Sequence, residues 1–418
     1  VTFILALNIT EGNNQLFTLL GYWETGLWNK GLLVFAIQMM LMLVLGHTLA
    51  LTSPFELLIN KVSKKCNSTA NAAFLVTFFT LLVSFFNWGL GLIFGAIFAR
   101  KVAEQSEKNH ININYPIIGA AGYSGLMVWH GGISGSAPIK IAEEGHFLQY
   151  KMGVISQSQT IFSEMNLTLS VILLILIPSL MYLIGKKSKP TSFTLNSTKI
   201  NLEKSIITGA EKLDHSKLLC ISFASIILFY CIYKAFILPE EVTLSVINPN
   251  FINLSLLALS LLFHKSFSNF LSGINHAIRG ASGILIQFPL YFGIMGIMNE
   301  SGMVEIMSSF FVNISTPTTF PLFTFLSAGI VNVFVPSGGG QWAVQGPIII
   351  DAANQLGVPY WKSVMALAYG DQITNMLQPF WALPLLGITQ LKAKEILPYT
   401  LILMLAGGSI FVLGLLIF

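Results

Sequence analysis

Charge is scarce in this 418-residue chain. Asp, Glu, Lys and Arg make up 10% of the residues, against about 25% in soluble domains. Hydrophobic residues make up 54% and the mean hydropathy is +0.73. This composition excludes an ordinary water-soluble fold, because too few charged side chains are present to cover its surface. The many apolar runs of spanning length predict an all-α polytopic membrane protein in contact with a lipid bilayer.

Cysteine, clustered basic charge and enzyme motifs are also lacking. The three cysteines, Cys66, Cys220 and Cys231, have no metal-type spacing and imply no disulfide framework. The 22 basic residues are dispersed and form no basic stripe, which disfavours a nucleic-acid partner. There is no HExxH or GxSxG pattern, so the sequence predicts no catalytic residues and no protein-bound catalytic metal.

Four interruptions break the apolar regions with glycine, proline and amide residues. Their sequences are FNWGLG (86–91), WHGGISGSAP (129–138), NVFVPSGGGQWAVQGP (332–347) and YGDQITNMLQP (369–379). Non-helical backbone is tolerated at membrane depth only where protein buries it or where it lines a wet cavity. These segments are therefore the predicted site for a small solute that crosses the membrane.

Loop charges predict how the chain crosses the bilayer. Both ends of region 70–99 are rich in Lys and Arg, so both are expected on the cytoplasmic face. A re-entrant hairpin that turns at the first interruption satisfies this, with one long tilted helix as the alternative. Region 317–357 has no Lys or Arg at either end and is predicted to be a second hairpin that enters from the outside. Regions 115–145 and 360–389 are predicted to be broken transmembrane helices.

These elements predict two inverted-topology repeats, each with one hairpin and one broken helix. Asn87 and His130 are 43 positions apart, as are Asn332 and Asn375, which gives an offset of 245 between the repeats. Ordinary helices are expected at about 31–52, 162–185, 217–238, 244–263, 281–298 and 396–418. The predicted division is 1–30 as a truncated first helix with an external segment, 31–185 as repeat 1, 186–216 as a cytoplasmic linker and 217–418 as repeat 2.

The predicted substrate site uses backbone N–H groups at the interruptions, which can hold a carboxylate without a buried cation. Arg100 and Arg279 are the only arginines, and both lie at predicted cytoplasmic ends, so a monoanion with a short apolar tail fits best. Aromatic residues near the interruptions, Trp342, Phe380 and Trp381, are candidates to line its tail. The candidate substrate-binding residues are Asn87, Gly89, His130, Gly132, Ser134, Gly135, Ser136, Ser337, Gly338, Gly339, Gly340, Gln341 and Trp342.

Asp371 is the most isolated acid in a predicted span. An ionisable group at that depth costs at least about 2.5 kcal/mol on insertion scales, and by default it marks a transport path or a proton relay. The alternative is an acid that only caps the broken half-helix. His130 is either a proton carrier or a neutral histidine bonded to a carbonyl. The candidate residues for coupling to H⁺ or Na⁺ are Asn87, Asn332, Asp371, Thr374 and Asn375.

The motifs WHGGISGSAPI, VNVFVPSGGGQWAVQGPI and AYGDQITNMLQPFWALPLLG resemble the bacterial short-chain fatty acid transporter family, which is associated with acetoacetate and butyrate use. That family is similar to the ion-transporter superfamily of citrate, dicarboxylate and arsenite carriers. The resemblance implies a scaffold domain, a moving domain with two hairpins and two broken helices, and a homodimer. It places Asn87, Ser134, Ser337 and Asn375 where the ligands of that superfamily lie. The tips FNWGLG and PSGGGQ depart from the Ser-Asn-Thr tips of dicarboxylate carriers.

A secondary carrier for short monocarboxylates in the bacterial cytoplasmic membrane is thus the leading hypothesis. A carrier of another small organic anion, such as a dicarboxylate, is the first alternative. A channel is disfavoured because paired inverted breaks suit alternating access better than one continuous pore. An intramembrane enzyme is disfavoured because Asp371 has no acidic partner within its segment.

Overall fold

Helices form all of the regular secondary structure in the computed structural model, which describes residues 2–10, 14–193, 195, 208–239, 244–334 and 337–418. Six of these helices are long and apolar enough to cross a membrane. The all-α polytopic prediction is therefore confirmed. The six segments are Lys30–Ala50, Thr69–Phe86, Glu164–Lys187, Lys217–Ile237, Ala281–Glu300 and Ala393–Ile417.

The first half of the chain contains ten α-helices in the described residues. Two 3₁₀ turns, Ser124–Met127 and Trp129–Gly131, follow the seventh of them. The helices are α1 (Thr2–Ile9), α2 (Gln15–Leu27), α3 (Lys30–Ala50), α4 (Ser53–Ser63), α5 (Thr69–Phe86), α6 (Trp88–Lys108), α7 (Tyr115–Tyr123), α8 (Ser136–Lys140), α9 (Gln149–Met152) and α10 (Glu164–Lys187).

The second half contains ten further α-helices in the described residues. A π-helical turn, Tyr233–Ile237, extends the second of them, and a 3₁₀ turn, Asn375–Leu377, follows the eighth. The helices are α11 (Glu211–Asp214), α12 (Lys217–Ile232), α13 (Pro249–His264), α14 (Phe267–Glu300), α15 (Met303–Ile314), α16 (Phe320–Phe334), α17 (Gly338–Leu356), α18 (Tyr360–Thr374), α19 (Pro379–Thr389) and α20 (Ala393–Ile417).

Several helix boundaries differ from the sequence prediction. The helix expected at 281–298 begins at Phe267, because Ser266 caps it by accepting a hydrogen bond from the Asn269 N–H. Residues 267–280 are rich in polar side chains, which made them resemble a loop. Three amphipathic helices, α2, α4 and α15, were not predicted. The predicted linker 186–216 includes the last two residues of α10 and all of α11, and its residues 194 and 196–207 lie outside the described ranges.

Helix α2 crosses α14 at close range through small residues. A Cβ atom at Gly26 would lie 2.8 Å from the Gly296 Cα, and one at Gly293 would lie 2.5 Å from the Trp23 ring. Close approach at glycine is typical of helix pairs in membranes, where packing rather than the hydrophobic effect holds helices together. Helix α14 also packs along α3, so α2, α3 and α14 form a layer beside the interruptions.

The first predicted hairpin is a break between two helices that fold back on each other. Asn87 has an extended backbone, with φ −154° and ψ 129°, and separates α5 from α6. Across this break, a Cβ at Gly91 would lie 2.8 Å from the Ser84 Cα, and one at Gly95 would lie 2.9 Å from Thr80 Cγ2. One continuous helix over 70–99 is therefore wrong. The return of both ends to one membrane face stays a prediction.

The second predicted hairpin is formed by α16 and α17, and Val335 and Pro336 at its tip lie outside the described residues. The Gln341 Nε2 atom donates to the Ala328 carbonyl at 2.8 Å, and Gln345 Nε2 donates to Ser327 Oγ at 3.1 Å. These bonds join the two arms across the tip. Helix α16 also packs along α18, which places this hairpin against the second broken helix.

Both predicted broken helices are interrupted. After α7, two 3₁₀ turns and an extended segment around Gly132 precede the short α8. After α18, one 3₁₀ turn and the extended Gln378 precede α19, which begins with a proline. Proline at the start of a helix has no N–H to leave unpaired, so it suits this restart.

The positions of the helix breaks differ from the spacing predicted between the two repeats. Asn332 lies inside α16, whereas Ser337 is the residue that caps α17 as Asn87 caps α6. Ser337 follows Asn87 by 250 positions. The 3₁₀ turns that begin at Ser124 and Asn375 are 251 positions apart. The predicted offset of 245 is therefore wrong as a register for the helix breaks.

Candidate functional site

The two hairpin tips and the two helix breaks meet around one small cavity. Its volume is about 20 Å³, which is room for a single water molecule. A four-carbon acid does not fit unless the surrounding elements move apart. The lining residues come from α3, α14, both tips and both breaks, namely Met39, Trp88, Leu126, Trp129, Ser136, Phe288, Ser337, Gly338, Gly339, Asn375 and Trp381.

Three tryptophans make the cavity mainly apolar. The ring centroid of Trp88 lies 5.6 Å from that of Trp129 and 5.3 Å from that of Trp381. The indole Nε1 atoms of Trp88 and Trp129 are buried and have no acceptor among the described residues. A buried indole N–H usually has a partner. The wall therefore offers a large apolar surface with two unpaired N–H donors.

The N-terminus of α17 lies at the same cavity, which Ser337, Gly338 and Gly339 help to line. Ser337 Oγ accepts from the Gly340 N–H at 3.2 Å, and the Ser337 carbonyl accepts from the Gln341 N–H at 2.7 Å. The N–H groups of Gly338 and Gly339 have no partner among the described residues. Unpaired N–H groups and the helix dipole favour an anion here.

Only glycine fits at the tip of the second hairpin. A Cβ atom at Gly338 would lie 2.8 Å from His130 Cε1 and 3.0 Å from Asp371 Oδ2. A Cβ at Gly339 would lie 2.9 Å from Phe35 Cζ. The tip therefore packs directly on the pair of titratable residues between the two broken helices.

His130 and Asp371 come from different broken helices and are both fully buried. Nδ1 of His130 lies 3.0 Å from Oδ2 of Asp371 and 3.3 Å from the Ala368 carbonyl oxygen. The His130 backbone N–H donates to Gln372 Oε1 at 2.8 Å. Neither carboxylate oxygen of Asp371 accepts a hydrogen bond of good geometry from a described residue. This contact brings together two predicted site residues that are 241 positions apart.

The predicted coupling residues surround the side-chain NH₂ group of Asn332. Asn332 Nδ2 donates to the Asp371 carbonyl at 2.7 Å, to Thr374 Oγ1 at 3.0 Å and to Asn375 Oδ1 at 3.0 Å. Asn375 Nδ2 in turn donates to the Leu126 carbonyl at 3.3 Å. These oxygens converge on an amide donor and not on an open cation position in this conformation.

The first tip and the first break mainly hold each other. Asn87 Oδ1 accepts from the Leu90 N–H at 2.8 Å, and Ser134 Oγ accepts from the Trp88 N–H at 3.1 Å. The Ile133 N–H donates to the Phe85 carbonyl at 2.9 Å. Tight glycine contacts support this arrangement: Gly89 packs on Leu43, Gly132 on the Phe85 backbone, and Gly135 on the His130 backbone.

Three predicted substrate contacts lie away from the cavity. Gln341 binds the facing arm of its own hairpin through the bond described above. Trp342 is fully buried in a separate cluster, with its ring centroid 6.2 Å from that of Phe147. Gly340 packs against the Tyr291 ring. Residues 340–342 of α17 therefore do not line the cavity, in contrast to Gly338.

Several cavity residues were not predicted. Trp88 and Trp129 are not among the predicted residues, although both are next to glycine-rich breaks. Their position next to two interruptions is the sequence feature that could have identified them. Met39 and Phe288 lie on long helices whose facing direction cannot be derived from hydropathy. The Phe380 side chain lies outside the described part of the chain.

A buried ion pair next to the site was also missed. Lys140, at the end of α8, is 4% exposed, and its Nζ lies 2.5 Å from Glu143 Oε2 and 3.2 Å from Gln38 Oε1. Gln38 Nε2 donates to Glu143 Oε1 at 3.0 Å. Lys140 and Glu143 both lie in the segment after the first break. If that segment moves, the two charges move together and the pair stays neutral.

Comparison with known proteins assigns the chain to a family and a fold. The family model described as short chain fatty acid transporter matches residues 1–418. An Escherichia coli (strain K12) protein whose name proposes a short-chain fatty acid transporter is 36% identical over 426 residues, covering 100% of this chain and 93% of that protein. A Haemophilus influenzae protein with the same name is 34% identical over 428 residues, covering 99% and 93%.

Two solved transporter structures share the fold. The Alcanivorax borkumensis YdaH transporter matches with a TM-score of 0.56 at 12% identity, covering 96% of this chain and 87% of that one. Neisseria gonorrhoeae MtrF, described among antimetabolite efflux pumps, matches with a TM-score of 0.54 at 15% identity, covering 95% and 84%. At such low identity these matches show the fold alone.

Proposed function

Because the chain belongs to the short-chain fatty acid transporter family and is a membrane transporter, not an enzyme, we propose that it is a secondary active carrier of short-chain monocarboxylates. Its substrates are short-chain fatty acids and acetoacetate, and it works in the bacterial cytoplasmic membrane. Transport is coupled to H⁺ or Na⁺ through Asp371, and the working unit is a homodimer.

The observation that carries this proposal is the mixed chemistry of the cavity. The N–H groups of Gly338 and Gly339, which have no partner among the described residues, suit one carboxylate, and the indole N–H groups of Trp88 and Trp129 add neutral donors. The tryptophan rings provide an apolar wall for a short tail. A small amphipathic anion matches both halves of this surface.

The charge balance favours one carboxylate over two. Among the described residues no Lys or Arg lines the cavity, and the nearby Lys140 is neutralised by Glu143. A dicarboxylate would bring a second charge into an apolar pocket without a cation, which is strongly unfavourable. A monocarboxylate needs only the neutral donors described above.

The small cavity supports a mechanism with a conformational step. A volume of about 20 Å³ holds one water, so substrate entry requires the tips and breaks to separate. Hairpins and broken helices in paired positions suit alternating access, in which one body moves relative to another around the site. We assign the moving body to both hairpins and both broken helices, and the scaffold to α3, α13 and α14.

Transport by the purified protein in proteoliposomes tests the function directly. Labelled butyrate should enter faster than in protein-free vesicles, should saturate, and should exchange against unlabelled butyrate or acetoacetate inside. Succinate should compete poorly. Succinate uptake faster than butyrate uptake would favour the dicarboxylate alternative, and flux without counterflow would favour a channel.

A further inference from the structure

The His130–Asp371 contact is enclosed by protein. A ligand that binds there must therefore be smaller than the substrate. Both side chains are inaccessible to solvent. The Trp129 ring stacks on the His130 ring with 4.0 Å between centroids, and Gly338 closes the side nearest the cavity. The pair thus lies directly behind the backbone that faces the substrate.

The surroundings of the pair favour the state that carries one extra proton. With its proton on Nδ1, His130 directs that N–H at the Ala368 carbonyl, and both Asp371 oxygens are left without a donor among the described residues. A buried, unpaired carboxylate is costly. One added proton, carried by either group, makes the pair neutral, and the 3.0 Å between Oδ2 and Nδ1 places the carboxyl and the imidazole in direct contact.

The two states differ by one unit of charge. When the pair holds the extra proton, it is neutral overall and can be enclosed in a dry environment. When that proton leaves, one negative charge remains without a donor and enclosure becomes unfavourable. Enclosure of this pair therefore favours proton binding.

A sodium ion fits the same position poorly. Hard cations need several oxygen ligands at once, and the partner that lies 3.0 Å from the Asp371 carboxylate is an imidazole nitrogen. The neighbouring oxygens of Thr374 and Asn375 already accept from the Asn332 amide. A proton needs only the two atoms that are in contact.

Other titratable groups on the surrounding helices have partners elsewhere. Helix α16 carries none, and the 3₁₀ turn at 129–131 carries only His130. In the described part of the chain, Lys140 contacts Glu143, Asp351 contacts Ser308, Tyr369 contacts Asn166, Tyr123 contacts the Asn375 carbonyl and Glu395 contacts the Lys392 N–H. Within the same described residues, Lys362, Lys394 and Tyr399 form no hydrogen bond or ion pair with His130 or Asp371.

We propose that His130 and Asp371 together bind one proton and that the carrier moves it with one monocarboxylate anion in an electroneutral cycle. This rests on the proposed function. Gly338 connects the two ligands: it lines the cavity, its N–H has no partner among the described residues, and a Cβ at its position would lie 3.0 Å from Asp371 Oδ2. An anion on this N–H is repelled by an ionised Asp371 and is not repelled by the protonated pair. Substrate and proton therefore bind together.

Proteoliposomes with separately imposed gradients test this proposal. For the wild type, an inward proton gradient should drive butyrate accumulation, while a sodium gradient or a valinomycin-generated potential alone should not. Entry should acidify the lumen beyond the acidification seen in protein-free vesicles, which report passive diffusion of the acid. Sodium-dependent accumulation, or accumulation driven by potential alone, would overturn the proposal.

Two variants locate the proton. Asp371→Asn should keep butyrate counterflow and lose proton-driven accumulation. Its counterflow should also become insensitive to pH. His130→Asn keeps a donor where Nδ1 stands, so a purely structural histidine would be rescued, whereas we expect accumulation to fall and the pH profile to shift. Asp351→Asn and His264→Gln, which alter a partnered acid and a carbonyl-bonded histidine elsewhere, serve as controls and should behave like the wild type.

Each result has a separate meaning. Wild-type accumulation and proton uptake in Asp371→Asn would contradict the proposal while leaving the carrier function intact. Loss of counterflow in both variants, with unchanged size-exclusion profiles, would assign the pair to substrate binding and also overturn it. Absence of counterflow in the wild type for every monocarboxylate would instead contradict the proposed function.

Discussion

The side-chain amide of Asn332 donates a 3.0 Å hydrogen bond to the side-chain oxygen of Asn375. This bond joins the second hairpin to the second broken helix, and Asn375 continues the contact to the first break through the Leu126 carbonyl. The two asparagines are 43 positions apart. They connect three of the four elements that surround the cavity.

Removing this amide should destabilise the protein. Asn332→Ala leaves three buried acceptors without their donor, and each unsatisfied group costs about 1–3 kcal/mol. We expect a lower melting temperature in detergent together with slower uptake. Asn313→Ala, at an exposed position, is the control and should melt like the wild type. Equal melting temperatures for both variants would show that the Asn332 bonds contribute little.

Gly338→Ala and Gly339→Ala should reduce butyrate uptake at least about tenfold. The added methyl groups would lie 2.8–3.0 Å from neighbouring side chains, so the tip would have to withdraw from the site. Gly387→Ala is the matched control, since nothing lies within 4 Å of its Cβ position and alanine stabilises a helix interior by roughly 0.5–1 kcal/mol. Full uptake by both tip variants would exclude close packing at the tip.

The tryptophan wall should set the preferred chain length. Trp88→Phe makes space beside Trp381 and Trp129, so longer acids should gain affinity relative to butyrate. Each additional buried methylene is worth about 0.8 kcal/mol, or roughly fourfold in KM. KM measured for butyrate, pentanoate and hexanoate tests this. Trp28→Phe, at an exposed ring, should leave the order unchanged, and an unchanged order in Trp88→Phe would place the tail elsewhere.

Breaking the Lys140–Glu143 ion pair should lower the stability of the protein more than breaking an exposed ion pair. Lys140→Met leaves the partly buried Glu143 without its cation and should cost up to about 3 kcal/mol of unfolding free energy. Lys101→Met breaks the more exposed contact with Glu104 and should cost at most about 1 kcal/mol. Melting of the two variants in the same detergent compares them. Similar losses would mean that burial does not determine the strength of the Lys140 pair.

The stability of the protein should depend on pH through His146, which lies outside the spanning helices. Burial lowers the pKa of His146 below its ordinary value of 6.5, only partly opposed by its bond to the Gly153 carbonyl. Between the lowered folded pKa and 6.5 the unfolded chain binds more protons than the folded one. Stability therefore rises with pH in that window and falls as the pH drops below 6.5. Melting at several pH values should show this fall, and His146→Gln should make it smaller; an identical fall in the variant would assign it to other groups.

The amino-acid sequence by itself determined the class of the protein and the positions of its helix breaks. Low charge and long apolar runs leave a polytopic helical bundle as the only fold that pairs every backbone group in a bilayer. Glycine, proline and capping side chains act over a few residues, so the breaks at Asn87 and Ser337 follow from local chemistry.

The tertiary structure alone decided which side chains face the site. Whether Trp88 or Trp342 lines the cavity depends on helix rotation, which hydropathy does not report when a helix is apolar on all sides. The His130–Asp371 contact spans 241 positions, and the Lys140–Glu143 pair is buried by residues from α3 and α13. The long-range contact and the burial of the local Lys140–Glu143 pair both depend on how distant helices pack, which no local pattern in the sequence encodes.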